Sequence, residues 1–244
     1  MSTFDDREVV CAGCQASFVA RVYASVSTER MPEAPEWVLG RTFQRASCPA
    51  CGLVNEVTQP VLYVDFVGGL WAHCLPVEER RDFEAHEGRL AEVFRTALAP
   101  PNAPPIAAAM ARRLQRRVVF GHEELREKIV CQRAGLEDGL IECVKLEVLL
   151  QTPLMAEDGA VGLLLDAVEE EHLVFAPLFD ALEGPPDPEL GLNTVRVPRA
   201  VYAQVAAERS AYVRAQRSMM EGGYRNLLRY AFAQPVVSPL RAEA

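Results

Sequence analysis

CPACG, residues 48–52, and VVCAGCQ, residues 9–15, each contain a Cys-x-x-Cys pair, and these two pairs decide how the first part of the chain folds. Each pair delivers two thiols from one tight turn, and two such turns supply the four soft ligands of a tetrahedral zinc site. Pro49 restricts the second turn, and Gly52 allows the backbone bend that points amides toward sulfur. The pattern predicts one structural Zn²⁺ ion with these ligands: Cys11, Cys14, Cys48 and Cys51.

Residue types alone leave other interpretations of these cysteines open. An iron site has the same ligands and geometry. A redox pair is a further alternative, although neither pair clearly opens a helix as a thioredoxin-like motif does, and four small buried residues without metal are another. Because four protein thiolates complete the coordination sphere of zinc, no position remains for an activated water. The motif therefore predicts a metal that stabilises a fold and argues against metal catalysis.

The sequence on both sides of the cysteines predicts a small antiparallel sheet. Residues 18–26 alternate between apolar and more polar positions, which is typical of a half-buried strand. MPEAPEW, residues 31–37, contains two prolines and is predicted as a loop. Further strands are predicted over residues 42–47, 53–66 and 70–75. We expect a zinc ribbon built into a sheet over about residues 7–75.

A helical insertion is predicted over about residues 76–150. Pro76 suits the first position of one helix, and IAAAMARRLQRR, residues 106–117, predicts a second. Gly135 suits the left-handed position that ends a helix, and Asp138 suits the start of the next, so these two helices form a hairpin. Cys131 and Cys143 fall on their apolar stripes and are predicted to be core residues.

The last part of the chain, residues 151–244, is predicted as a second domain after a first domain over residues 1–150. Residues 159–179 indicate two strands around three glutamates, which is a β-hairpin, and a proline-rich acidic loop follows them. A long helix is predicted from Pro198, interrupted at Gly222 and Gly223. The fold class is therefore α+β.

Composition and charge limit the function classes. The 244 residues carry a formal net charge of −9, which disfavours a general electrostatic nucleic-acid binder. No apolar run reaches the roughly 20 residues that span a bilayer, and the first residues lack the basic start and apolar stretch of a signal peptide. We expect a cytoplasmic protein without a membrane segment.

The C-terminal third separates its charges. Residues 151–195 contain ten acidic residues and no Lys or Arg, whereas residues 196–230 contain seven Arg and two Glu. A candidate partner surface consists of Arg214, Arg217, Arg225 and Arg229. Arginines interleaved with tyrosines can grip phosphates and stack bases, but a solvated face or a protein-binding surface fits the same pattern. A second set of four arginines is predicted to lie on the helix over residues 106–117: Arg112, Arg113, Arg116 and Arg117.

The two Cys pairs resemble those of the CpXC domain proteins, a bacterial and archaeal family. The resemblance also includes VLYVD, residues 61–65, and the stretch from Arg117 to Leu146, and it covers about residues 7–150. Ala12 stands where the family name suggests proline, which leaves the ligands intact. The resemblance implies a zinc-ribbon-like domain, and it implies no substrate and no catalytic residues.

The chain contains no phosphate-binding loop, nucleophile elbow or nicotinamide fingerprint. We therefore expect a non-enzymatic, zinc-stabilised adaptor that docks a protein partner or a second copy through its helical C-terminal part. Two alternatives stay open: a nucleic-acid-associated zinc ribbon, and a thiol or zinc redox sensor.

Overall fold

A computed structural model of the chain describes residues 2–151, 160–179 and 194–230. It has mixed strands and helices, which confirms the predicted α+β class. The chain divides into two compact units, Met1–Arg126 and Glu127–Ala244. The predicted division into domains at residue 150 stays a prediction. Within the described residues, no helix combines the length and apolar character needed to cross a bilayer.

The first unit contains a five-stranded sheet and a separate two-stranded ribbon. The strands of the sheet are β1 (Thr3–Val10), β2 (Ser17–Ser27), β5 (Val61–Asp65), β6 (Leu70–Leu75) and β7 (Gln115–Phe120), in the order β1-β2-β5-β6-β7. The ribbon pairs β3 (Arg45–Ser47) with β4 (Val54–Glu56) in antiparallel fashion.

The large sheet is mixed. β5 pairs with β6 in antiparallel fashion, as predicted, and β1, a strand that the sequence patterns did not predict, pairs with β2 in the same way. β2 pairs with β5 and β6 pairs with β7 in parallel fashion. A parallel pair needs a long crossover connection, and both parallel pairs have one, since helices lie between their strands in the sequence. The alternation predicted for β2 is confirmed, because Phe18, Ala20 and Val22 are buried and Val19 is exposed.

Three helices complete the first unit: α1 (Ala34–Leu39), α2 (Phe83–Leu98) and α3 (Pro105–Arg113). The predicted loop over residues 31–37 is confirmed up to residue 33 and wrong after it, because α1 begins at Ala34. Pro35 is tolerated in the first turn, where a backbone N–H would have no intrahelical acceptor. A 3-10 turn, Val77–Asp82, follows Pro76 and leads into α2.

The predicted helix over residues 106–117 is wrong in its last part. Helix α3 ends at Arg113, and Gln115–Phe120 pairs along its whole length with Leu70–Leu75. Apolar residues at the end of this segment complete the sheet, so tertiary pairing overrides helix propensity. The four arginines expected on one helix are therefore divided, with Arg112 and Arg113 on α3 and the other two on β7.

Helix α4 (His122–Arg133) starts in the first unit and ends in the second, where α5 (Asp138–Gln151) follows it. Gly135 has a φ of 65°, which confirms the predicted left-handed helix end. The predicted hairpin is present as β8 (Ala160–Val168) and β9 (His172–Phe179), and β10 (Val195–Pro198) adds a third antiparallel strand beside β9. The predicted acidic loop after β9 lies outside the described residues.

The predicted long C-terminal helix is wrong as one element. It is divided into α6 (Arg199–Ala207), α7 (Arg209–Ala215) and α8 (Arg217–Glu221). The backbone leaves helical geometry at Glu208 and Gln216. The chain bends there as it follows the 14-residue helix α5, which contacts both α6 and α8.

The core of the second unit forms around α5, the β8–β9 pair and the C-terminal helices. Its fully buried members include Ile141, Leu165, Phe175, Tyr212 and Met219. Cys131 and Cys143 belong to this core, as predicted.

Candidate metal centre

The two Cys-x-x-Cys turns lie at strand junctions that face each other. Cys11 and Cys14 are in the connection between β1 and β2, and Cys48 and Cys51 are in the turn that joins β3 to β4. All four Sγ atoms lie within 4.8 Å of one another. Across the two turns, the Sγ atoms of Cys11 and Cys51 are 3.6 Å apart, as are those of Cys14 and Cys48. The fold thus brings together all four predicted ligands.

Both turns use the same backbone geometry. The amide of Gln15 donates to the carbonyl of Cys11 at 3.0 Å, and the amide of Gly52 donates to the carbonyl of Cys48 at 2.8 Å. Each donor follows its first cysteine by four residues and has a left-handed φ, of 61° at Gln15 and 77° at Gly52. The backbone bend predicted at Gly52 is confirmed. Glycine adopts this conformation without strain, whereas glutamine does not.

Asn55, on β4, links the two turns, and the sequence patterns gave it no role. Its side-chain oxygen accepts a hydrogen bond from the amide of Ala12 at 2.9 Å, and its Nδ2 lies 3.7 Å from Cys11 Sγ. Nδ2 also donates to the carbonyl of Leu53 at 3.0 Å. Asn55 is buried, so these contacts are shielded from water. An asparagine four residues after the second Cys-x-x-Cys pair was the only feature of the sequence that could have pointed to this role.

The four thiols differ in exposure, and the pKa values of Cys11 and Cys51 are shifted in opposite directions. Cys11 and Cys48 are buried beside Phe18, Ala20 and Val22, whereas Cys14 and Cys51 are exposed. The backbone amide of Cys14 donates to Cys11 and, with further donors, lowers the Cys11 pKa to about 6. The backbone amide of Leu53 lowers the pKa of Cys51, but the three neighbouring cysteines and burial outweigh it and raise this pKa to about 12. Four thiols at this spacing cannot all ionise without a compensating cation.

The donor set fits a soft divalent metal ion. Four thiols from two tight turns match the ligand set of structural zinc sites, and iron accepts the same set. The amide donors around Cys11 supply hydrogen bonds of the kind that orient metal ligands. Cys11, Cys14, Cys48 and Cys51 would hold the ion.

The comparison with known families agrees with this geometry. The sequence model described as "CpXC protein" matches residues 9–145. This chain belongs to the CpXC family. The match includes all four cysteines and continues through most of α5. No curated protein and no solved structure matches the chain.

The four C-terminal arginines of this CpXC chain do not share one exposed face. Arg214 and Arg217 are exposed. Arg225 is mostly buried, with Nη1 at 3.2 Å from Asp138 Oδ1. Arg229 is buried and donates to the carbonyls of Ser218 and Tyr224. Partner binding through these arginines stays a prediction, for which Arg214 and Arg217 are the accessible pair.

A buried ionic cluster, which the sequence patterns did not reveal, lies in the second unit. Of the 25 basic residues, only Lys128 and Lys145 are lysines, and both are buried. Lys145 Nζ lies 2.6 Å from Glu127 Oε1 and 2.7 Å from Glu142 Oε1. Lys128 Nζ lies 3.5 Å from Glu142 and 3.7 Å from Asp138. The scarcity of lysine was the one feature of the sequence that set these two residues apart.

The cluster holds distant backbone segments as well as side chains. Lys128 Nζ donates to the carbonyl of Arg225 at 2.7 Å, and Glu142 Oε2 accepts from the amide of Leu227 at 3.0 Å. Glu127 Oε1 accepts from the amide of Leu165 at 2.6 Å. Helices α4 and α5 are thereby joined to β8 and to the segment after α8.

The pKa values of Glu127 and Glu142, two carboxyl groups of the cluster, shift in opposite directions. Burial, strengthened by the charge of Glu127, raises the pKa of Glu142 to about 7, although both lysines act against this rise. Burial also acts to raise the pKa of Glu127, but Lys145 and Lys128 outweigh it and lower that pKa. Burial lowers the pKa of Lys145, but Glu127 and Glu142 outweigh it, so the ammonium group stays charged. Proton exchange near neutral pH is therefore expected at Glu142.

Proposed function

We propose that this CpXC protein is a non-enzymatic binding protein whose first unit is stabilised by zinc. The convergence of four Sγ atoms within 4.8 Å of one another carries the proposal. Four thiolates fill a tetrahedral coordination sphere, so the ion would stabilise the fold and leave no position for a reacting water. When bound, it would tie the β1–β2 connection to the β3–β4 ribbon.

Elemental analysis of the purified full chain tests the metal. We expect about one zinc per chain, as for other four-thiolate sites, and loss of the ion in Cys48→Ser and in Cys51→Ser. Cys74→Ser is the matched control, because Cys74 is a buried thiol outside the cluster whose Sγ donates to the carbonyl of Gly121 at 3.4 Å. A folded protein without metal would overturn the proposal, and iron in place of zinc would overturn the identity of the ion.

The docking part of the proposal concerns a protein partner or a second copy, bound through the helical C-terminal part. Arg214 on α7 and Arg217 on α8 support it because both are exposed. Among the residues that the structure describes, Arg217 pairs with Glu221 alone, at 2.7 Å, across an exposed surface, and such a pair is weak enough to exchange partners. Sedimentation and capture from cells of origin would test it: Arg214→Ala with Arg217→Ala should release the partner. Unchanged capture would refute docking through this surface.

A nucleic-acid role would give a different result in the same experiment. Binding to RNA or DNA would fall steeply with salt, because counterions are released from each neutralised phosphate. Arg225 and Arg229 supply little exposed charge for it. Salt-sensitive retention of nucleic acid that is lost with Arg214→Ala and Arg217→Ala would replace the protein-docking proposal.

A thiol redox role is a second candidate, favoured by the exposure of Cys14 and Cys51 beside buried partner thiols. Hydrogen peroxide would oxidise two thiolates to one disulfide while two protons are taken up and two waters form, and the ion would lose two ligands. The 3.6 Å separation between Cys14 Sγ and Cys48 Sγ is short enough for this reaction to need little movement. A chelating dye should then detect zinc at near-stoichiometric peroxide. Retention of zinc in excess peroxide would refute a sensor role.

A further inference from the structure

An open cleft separates α2 from α3 in the first unit, away from the cysteines. Its volume is about 740 Å³, within the range of ligand-binding sites. Small side chains from both helices form its walls, and Phe94 and Leu114 are buried beneath them. The wall residues are Ala91, Ala99, Ala108 and Ala111. Small walls allow a bound group to approach the backbone of both helices closely.

Three arginines from three different elements line this cleft. Arg95 is on α2, Arg112 is on α3 and Arg116 is on β7. Among the lining residues, all of which are described, Glu92 is the single carboxylate. The cleft is therefore positive on a chain with a net charge of −9. The guanidinium of Arg116 lies over the Phe94 ring, 5.1 Å from its centroid, which holds this charge at the cleft.

These arginines differ from others in the same unit. Arg21 pairs with Asp6, Arg41 with Glu123 and Arg45 with Glu56, at 3.0 to 3.4 Å. Within residues 2–151, 160–179 and 194–230, no carboxylate forms an ion pair with any of the three cleft arginines. Their charge is thus available to a ligand without the loss of an internal pair.

The connection between α2 and α3 keeps the walls apart. It contains Pro100, Pro101 and Pro104, Pro105 begins α3, and the amide of Ala103 donates to the carbonyl of Pro100 at 2.9 Å. Proline disrupts a helix interior and has a fixed φ, so the two helices do not merge into one and the connection has fewer accessible conformations. A cleft that is formed before binding loses less entropy when it is occupied.

We propose that the cleft binds an acidic amphipathic helix of a protein partner. This inference rests on the proposed binding function and adds to it a separate surface, in the first unit, with a partner chemistry of its own. A helix that lies in a groove between two helices buries its apolar face, and its carboxylates then meet the rim. Arginine forks pair with carboxylates through two hydrogen bonds. Single-stranded nucleic acid fits less well, because Phe94 is only 6% exposed and offers no free ring face for a base.

Fluorescence anisotropy with a synthetic probe tests the cleft in the metal-loaded full chain. The probe is a fluorescein-labelled peptide of roughly 18 residues, about five helical turns, with Leu and Ala on one face and Glu on the other. A second peptide carries Lys in place of every Glu. We expect saturable binding of the acidic probe, weakened by added salt, and no comparable binding of the basic one.

Two kinds of variant separate charge from shape. Replacing Arg95, Arg112 and Arg116 together by Gln should weaken probe binding roughly tenfold or more, since three charge-assisted contacts are lost. Ala108→Trp should weaken it similarly by filling the cleft with the charge unchanged. The matched control replaces Arg30, Arg89 and Arg113 by Gln. These three are exposed and do not line the cleft, so binding should stay within about twofold of wild type.

Several results would overturn the cleft assignment. They are the absence of saturable binding, equal binding of the basic peptide, equal loss in the control variant, and tighter binding of a single-stranded oligonucleotide. Self-association that is lost in the cleft variants would show that a second copy is the occupant. A native partner that binds the cleft variant and wild type equally would refute the cleft and leave the proposed binding function intact. If the chain binds the probe at the cleft but retains no native partner, the proposed binding function is refuted and the cleft assignment stands.

Discussion

Replacing Lys145 by methionine removes one charge from the buried ionic cluster and keeps an unbranched side chain of similar length. Lys145 Nζ lies 2.6 Å from Glu127 and 2.7 Å from Glu142, and the three side chains are at most 1% exposed. Removing one partner of a buried ion pair costs about 3–5 kcal/mol, because the other charge stays buried without compensation. Lys128 remains at 3.5 to 3.6 Å from the same glutamates, so we expect the free energy of unfolding to fall by about 3 kcal/mol.

The assay must report on the second unit. Both tryptophans, Trp37 and Trp71, lie in the first unit, so tryptophan fluorescence does not follow the cluster. Hydrogen exchange of the α5 amides does, and a loss of about 3 kcal/mol corresponds to roughly hundredfold faster exchange from the globally unfolded state. Urea unfolding followed by far-UV circular dichroism at pH 7.5 gives the free energy of unfolding independently.

A second substitution shows whether charge is the cause. In the double variant Lys145→Met with Glu142→Gln, one carboxylate disappears together with its cation, so we expect at least half of the lost stability to return. Arg214→Met is the control, because this exposed cation forms no ion pair within the described residues, and its effect should stay within about 0.5 kcal/mol. A loss below about 1 kcal/mol, or a double variant no better than the single one, refutes the reasoning.

Three further predictions concern the same cluster and the cysteine turns. Because the folded pKa of Glu142 is raised to about 7 from an ordinary value of 4.5, the native state binds this proton more tightly, and the contribution of Glu142 to stability should fall by roughly 3 kcal/mol as pH rises from 4.5 to about 7. Wild type and Glu142→Gln share the opposite contribution of Glu127, whose pKa is lowered, so the difference between their pH profiles isolates Glu142. Glu142→Gln should flatten this dependence, and an unchanged slope in urea titrations would contradict the assignment. Gly52→Ala should destabilise the metal-loaded protein by about 1 kcal/mol through its left-handed φ alone, since an added Cβ meets nothing within 4 Å. Gly88→Ala, inside α2 and equally free of neighbours, should stabilise by up to about 1 kcal/mol, and thermal melts that show the same sign for both would refute the backbone explanation. Asn55→Ala should weaken metal affinity roughly 10- to 100-fold in chelator competition, and an unchanged affinity would show that its contacts to Ala12 and Cys11 do not orient the ligands.

The ribbon and its cysteines could be predicted because their determinants are local. A Cys-x-x-Cys turn places two thiols through the conformation of four residues, and the residues around it alternate with the period of a strand. Gly52 has a left-handed conformation, which its residue type predicts. Gly135 does the same at the end of α4. Gln15 has the same conformation, which its residue type does not predict, because the Cys11–Gln15 turn has the geometry of the Cys48–Gly52 turn.

The sequence patterns missed features that depend on strand pairs and ion pairs between residues far apart in the chain. Gln115–Phe120 follows a helix without a break in composition and becomes a strand because Leu70–Leu75 offers it a partner. Arg225 and Arg229 have the spacing of a solvated helix face, yet Asp138 and two backbone carbonyls hold them inward. The sequence does not reveal whether a charged side chain is buried, nor which partners stabilise it when it is.

The sequence by itself determined the two Cys-x-x-Cys turns, the left-handed glycines at Gly52 and Gly135, and the α+β class, because each depends mainly on residues within a few positions of one another. The tertiary structure alone decided the mixed sheet, the division of the C-terminal helix and the burial of both lysines. Lys128 and Lys145 are charged residues on helices, and their burial is stable because Glu127, Glu142 and Asp138 surround them. Electrostatic compensation depends on where distant segments meet in space, and no local pattern carries that information.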